Sequence, residues 1–307
     1  MTSTHPSPTF IIDRMILFTR IWITHLGIGL PEAGGAYLVT SELFDRISGA
    51  MATSLSNLAW EGIAASHSVE QGLVHCSTVE TLSGIDKEAS ILVTGQAEGV
   101  TTTRETLNSV ELNLIQQRTA AKALVDAGQL EEAQNLQWAA ARDADHKITS
   151  ALKFLNRLTL HNTQVMASLN QQLRTLMAPL PQGYTPIGTV SVTDAESART
   201  VRDAASILRV DTGSVTTVAA SNRVHQLWLK KPKQVTDAIS QRVGITHGQL
   251  TKSFNIELLN FEFMRAHVID TVRQAMQAHA AALERTAADL EFTEEDWALI
   301  LSACDEV

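Results

Sequence analysis

The stretch ITSALKFLNRLTLHNTQVMASLNQQLRTL, Ile148 to Leu176, sets the architecture of this chain. Within it Ile148, Leu152, Leu155, Thr159, Asn162, Met166, Leu169, Leu173 and Leu176 alternate steps of four and three. That spacing puts one mostly apolar seam on one face of a helix and excludes a strand, whose faces repeat every second residue. Thr159 and Asn162 interrupt the seam, and polar groups at such positions usually set register or face a partner. Pro179 and Pro181 end it, because proline removes a backbone donor and crowds the preceding turn.

Upstream, Leu107, Val110, Leu114, Arg118, Ala121 and Val125 keep helical steps until Gly128, a helix stop, and Gln129-Leu130-Glu131-Glu132 restarts. The two runs predict a helical hairpin whose second arm, of about 48 residues, is about 70 Å long at 1.5 Å per residue. AKALVDAGQLEEAQNLQWAAARDAD, Ala121 to Asp145, resembles in part a tetratricopeptide unit, with Gly128 at its turn and Ala133 and Ala140 at close-packing positions. The resemblance occurs once, with no second copy at a spacing of about 34 residues, and a repeat solenoid is not expected.

The amino-terminal run FIIDRMILFTRIWITHLGIGLP, Phe10 to Pro31, is the most apolar in the chain. A membrane-spanning helix needs about 20 mostly apolar residues, and Asp13, Arg14, Arg20 and His25 interrupt this one. A signal peptide needs a basic start, and MTSTHPSPT carries no Lys or Arg. On a helical wheel Asp13, Leu17, Arg20, Thr24 and Gly27 form one narrow strip, while Ile12, Ile16, Ile23 and Leu26 lie among the apolar positions around it. The expectation is a core or interface helix buried on most sides. GIGLPEAGG, Gly27 to Gly35, falls short of a dinucleotide fingerprint because Glu32 stands where the third glycine belongs, and it reads as a loop ending the helix.

Thr40 or Ser41 is expected to cap a helix running through Leu43, Ile47, Leu55, Leu58 and Ile63. Trp60-Glu61-Gly62 within it resembles the Trp-x-Gly turn of small secreted helical-hairpin proteins, although this chain is far longer. Around Ser83-Gly84 and from Gly95 to Thr103 the pattern loosens, and ILVTG, Ile91 to Gly95, reads as a short strand or a buried turn.

Toward the carboxyl end GYTPIGTVSV, Gly183 to Val192, reads as a linker or short hairpin. Thr193 with Glu196 forms a capping box for the next helix, and shorter helices read at 214–229 and 232–242, with Lys230, Lys231 and Lys233 as a solvated boundary. Thr246 with Gln249 is a second capping box, and from there Leu250 to Leu290 contains neither proline nor glycine. Its first half carries Phe254, Ile256, Leu258, Leu259, Phe261, Phe263 and Met264 on nearly all faces and must be enclosed, while its alanine-rich second half permits close helix approach. A last helix is capped by Thr293, with Trp297, Ile300, Leu301 and Cys304 as its stripe. The regions are therefore 1–103, helical with the apolar helix at 10–30; 104–180, the long hairpin; 181–192, the linker; and 193–307, helical.

At 307 residues with 44% hydrophobic and 19% charged residues, the chain can bury one large core or two modest ones. Its net charge of -9 argues against nucleic acid as a partner. Cys76 and Cys304 are too few and too separated for a disulfide framework or a zinc site. Three His and carboxylate pairs sit one helical turn apart: His67 with Glu70, Asp143 with His146, and His267 with Asp270. Helical di-iron sites use Glu-x-x-His, an order absent here, and such pairs arise by chance among ten histidines and 33 acids. No metal site or cofactor is expected, and Asp143, His146, His267 and Asp270 are the nearest candidates for ligands. His279 falls on an apolar stripe and reads as a packed core histidine. No nucleophile elbow, HExxH or phosphate loop occurs.

The expectation is an all-α, elongated helical bundle with two long helices of about 40–50 residues, several shorter ones and little or no sheet. It acts without catalysis, through helix–helix interfaces, as a homo-oligomer or filament subunit, such as a virion, appendage or scaffold component, with room for another protein partner. The interface residues are Ile16, Trp22, Ile23, Leu26, Phe254, Leu258 and Phe261. The rivals are a membrane-active helical protein that stores residues 15–30, with membrane contact through 10–30, and an enzyme with a bundle-core site. Without a convincing signal peptide or transmembrane helix, the chain is expected to be soluble, either cytoplasmic or secreted without a cleaved signal.

Overall fold

In the computed structural model the described residues are 9–27, 34–56, 63–177 and 250–288, together with the helical residues 199, 202 and 203. Among them there is no strand, and the chain is an all-α bundle. Five helices follow in order: α1 (Phe10–His25), α2 (Gly35–Ser56), α3 (Ile63–Asp126), α4 (Leu130–Leu176) and α5 (Lys252–Ala288). The expected linker, both capping boxes, the helices at 214–242, the lysine cluster, the terminal helix with Cys304 and the Trp60-Glu61-Gly62 tripeptide lie outside the described residues.

The α3–α4 turn forms where the sequence places it. Gly128 has φ +77°, a left-handed conformation that costs glycine little, and so it can end α3 within two residues. Its N–H donates to the Val125 carbonyl and the Gln129 N–H to the Leu124 carbonyl, both at 2.9 Å, which satisfies the last carbonyls of the helix. Glu131 and Glu132 then open α4 and Arg174 closes it, each charge opposing the nearby end of the helix dipole.

The helix before that turn is longer than the sequence suggests. α3 runs 64 residues without a break, so Ile91 to Gly95 is helical rather than strand or turn, and residue 103 lies inside an element. Glycines 84, 95 and 99 weaken the local signal, yet packing holds the helix together. Gly99 lets Leu158 of α4 approach so closely that a Cβ there would stand 2.2 Å from its Cδ2.

The helices fall into two units, one built from 1–36, 89–170 and 219–262, the other from 37–88, 171–218 and 263–307. In the first, α1 lies antiparallel to α3. Arg118 meets Asp13 at 3.4 Å, Arg20 meets Glu111 at 2.7 Å, and the Arg104 guanidinium donates to the carbonyls of Leu26 and Gly27 at the carboxyl end of α1. The polar strip of α1 therefore borders α3. Its apolar side contributes Ile12, Ile16 and Leu26 to a core shared with Val100, Leu107, Val110 and Leu114 of α3 and Ala144, Ile148 and Leu155 of α4.

The α4 seam is buried as its spacing requires. Ile148, Leu155, Thr159, Asn162, Met166, Leu169 and Leu173 are all buried, and Leu152 and Leu176 half-buried. Its two polar positions meet α3 through one residue: Gln96 Nε2 donates to Thr159 Oγ1 at 2.9 Å, and Asn162 Nδ2 donates to Gln96 Oε1 at 3.0 Å. Asn170 further along donates to the carbonyl and the carboxylate of Glu257 on α5.

In the second unit α2 and α3 form an antiparallel pair. Partners in α3 step backward as α2 advances: Thr40 meets Asp86, Ser41 and Asp45 meet Ser83, Ser48 meets Glu80, and Leu55 packs on Gly72. The start of α2 differs from the expected cap. Thr40 and Ser41 lie a full turn inside the helix, where their hydroxyls bond the carbonyls of Tyr37 and Leu38.

Gly34, just before α2, sets a steric test. A Cβ there would lie 2.2 Å from the Ser90 carbonyl oxygen, a backbone atom that cannot swing aside, and the Gly34 N–H donates to Thr94 Oγ1. Gly34→Ala should cost about 1–3 kcal/mol of unfolding free energy. Gly84→Ala, in the α3 interior with nothing within 4 Å of its Cβ, should stabilise by about 0.5–1 kcal/mol. Urea denaturation of both variants reads the contrast, and similar signs would contradict it.

Candidate functional site

A charge placed in an apolar helix seam must find a partner, because an unpaired ion costs too much away from water. Arg265 follows Met264 and precedes Val268 on α5, all buried. Its guanidinium grips Asp86 of α3 with two parallel bonds, Nε to Oδ1 and Nη2 to Oδ2, each 2.7 Å. The Arg265 side chain is 8% exposed and that of Asp86 0%. Thr40 Oγ1 of α2 lies 2.9 Å from Arg265 Nη2 and 2.7 Å from Asp86 Oδ2, and the guanidinium stands over the Tyr37 ring at 5.6 Å. One ion pair thus joins α2, α3 and α5 of the second unit. About one turn along α2 from Thr40, at the surface, Lys87 and then Ser83 hold the Asp45 carboxyl below the usual carboxylate range.

The interface residues named from sequence are largely spent inside the chain. Ile16, Leu26, Phe254 and Phe261 are buried, while Trp22, Ile23 and Leu258 are half-buried, with Trp22 and Ile23 packed against the core of the first unit. From Phe254 to Arg273 no side chain is exposed, as expected of a helix apolar on nearly all faces. α1 departs from its expected burial. One face is covered, and the other exposes Phe10 (45%), Leu17 (61%), Phe18 (40%) and Ile21 (44%), with Arg14 stacked on Phe10. A wheel identifies an apolar helix but not which of two apolar faces its neighbours cover.

The candidate metal ligands do not converge. Asp143 pairs with Lys147 at 2.8 Å, and His146 is exposed. Asp270 is bonded to Arg273 and Gln274, and His267 is half-buried one turn before it. The His67 side chain lies outside the described residues. Among the described residues no three His, Cys, Asp or Glu side chains group to hold a metal ion, and no helix is long and apolar enough to cross a membrane.

The segment that carries the α2–α3 pair is also matched by a family model. Residues 26–109 match the EspA/EspE family. Over 108 residues the chain is 30% identical to the ESX-1 secretion-associated protein EspA of Mycobacterium tuberculosis, an alignment covering 35% of this chain and 28% of EspA. Over 86 residues it is 28% identical to the ESX-1 secretion-associated protein EspE of the same organism, covering 28% of this chain and 21% of EspE. The chain thus spans between a fifth and a third of the length of these curated relatives. No solved structure matches it.

Proposed function

We propose that this chain is a secretion-associated helical protein of the EspA/EspE kind that works by helix-to-helix contact with protein partners rather than by catalysis, and that its copies self-associate. The observation that carries this reading is where the likeness falls. Residues 26–109 take in all of α2 and the part of α3 packed against it, so the matched segment of this chain is a helical pair. The polar groups of that pair are engaged with one another, as in Thr40–Asp86, Ser48–Glu80 and Asp45–Lys87. That arrangement suits a structural role.

Self-association is assigned to the outer face of α1, where Phe10, Leu17, Phe18 and Ile21 are bordered by the half-buried Trp22 and Ile23. Covering each of the four exposed side chains contributes about 1 kcal/mol, since roughly half of their surface is already removed from water.

Two measurements test the reading. A tagged full-length chain, expressed in a mycobacterium, should reach the culture filtrate when the ESX-1 system is active and stay with the cells when that system is inactivated. Equal amounts in both filtrates would defeat the secretion reading. Light scattering after size exclusion should give a mass above that of one chain, falling to the monomer in Leu17→Asp with Phe18→Asp. A wild-type monomer at micromolar concentration would defeat the self-association reading alone.

A further inference from the structure

In the second unit α5 is fastened to α3 at two places. One is the Arg265–Asp86 bridge. The other, further toward the carboxyl end of α5, is a contact between two imidazoles: the rings of His75 and His279 stand 5.7 Å apart between centroids, inclined at 51°. They are 1% and 4% exposed. Both occupy positions where the helix repeats call for apolar side chains, since His75 continues through Val79 and Leu82 to Asp86, and Arg265 through Val268, Val272 and Met276 to His279, all buried.

Two neutral rings suit such a seam. Two imidazolium ions do not, because each would lose its hydration and repel the other. His75 Nδ1 is enclosed without a hydrogen-bond partner among the described residues, so a proton arriving there finds no acceptor. The geometry points to an acid-sensitive latch: proton uptake by the His75–His279 pair detaches the part of α5 around His279 from α3, while the Arg265–Asp86 bridge holds the other part.

The ionisable groups described on the packed helices are placed as follows. On α3, Cys76 points to the Ser48 carbonyl of α2 and burial pushes its thiol up to about 11, while Glu80 accepts from the Ser48 hydroxyl. Glu70 is exposed. On α2, Asp45 serves Ser83 and Lys87, and on α5, Asp270 serves Arg273 and Gln274. Burial lowers the His75 pKa from 6.5 to about 4. Burial, and then the charge of His75, lower that of His279 to about 4 as well.

The direction of the pH effect follows. Above pH 6.5 the rings are neutral whether packed or released, and the latch is at full strength. As pH falls below 6.5 the released rings take up protons that the packed ones refuse, so the hold weakens by about tenfold per pH unit for each ring. The weakening is complete near pH 4, where the packed rings protonate too.

Hydrogen exchange read by mass spectrometry on the full chain, corrected for intrinsic rates, tests this at about pH 7.5 and about pH 5. Peptides from 268–281 should lose protection at least about tenfold at the lower pH relative to peptides from 155–170, and the double variant His75→Leu, His279→Leu should not show the loss. Equal protection at both pH values, or an equal loss in wild type and variant, would overturn the latch. Should the variant not fold, nitrogen-labelled histidine spectra of the wild type decide. The two rings must stay neutral as long as α5 is protected, and a midpoint near the ordinary 6.5 with protection retained overturns the inference.

Discussion

Truncating either partner of the buried ion pair, as Asp86→Ala or Arg265→Ala, should lower the free energy of unfolding by about 3–5 kcal/mol. Each change leaves the opposite charge enclosed and unpaired. The loss follows from the geometry, with two bonds of 2.7 Å between side chains 0% and 8% exposed. Replacing both together, Asp86→Leu with Arg265→Met, removes the desolvation cost along with the attraction, so it should recover most of the loss. The unfolding free energies of the wild type, the single variants Asp86→Leu and Arg265→Met and their double variant, read from urea denaturation, form a double-mutant cycle, with a coupling of several kcal/mol expected. Single losses below about 1 kcal/mol would mean that the pair is solvated and that α2, α3 and α5 are held by other contacts.

The second large effect distinguishes two leucines five positions apart on α4. Leu155 is 1% exposed and Leu160 58%. Leu155→Ala empties space between α3 and α4 and should cost about 2–5 kcal/mol, whereas Leu160→Ala should change stability by no more than about 0.5 kcal/mol. Thermal or chemical unfolding measures both. A reversed order would mean that the α4 seam is rotated from the face described above.

Spacing made the local features readable. Gly128 announced a turn because only a residue tolerant of positive φ ends a helix so sharply, and Ile148 to Leu176 announced a buried face because its period leaves no other use for those side chains. Long-range pairing left no such trace. Asp86 and Arg265 are 179 residues apart, and neither neighbourhood carries a sign that its one charge is matched elsewhere. His75 and His279 were hidden for the same reason, although the position of His279 on an apolar stripe marked it as enclosed. The unbroken length of α3 was obscured by its glycines, whose low helix propensity is outweighed when a neighbour such as Leu158 needs their small size. α1 was read as a core or interface helix buried on most sides because composition reports how apolar a helix is, and only its neighbours decide how much of it they cover.

The Gln96–Thr159–Asn162 contact has a consequence for how α3 and α4 find each other. A seam that repeats every seven residues is nearly indifferent to a shift of one repeat, since leucine would again meet an apolar side chain. Sliding by one repeat would leave the Gln96 amide facing hydrocarbon and strand the side chains of Thr159 and Asn162, at about 1–3 kcal/mol for each buried group left without a partner. The three residues work as the index mark on a sliding scale. Apolar burial makes the two helices adhere, and this mark defines a zero from which the other pairings along them are counted.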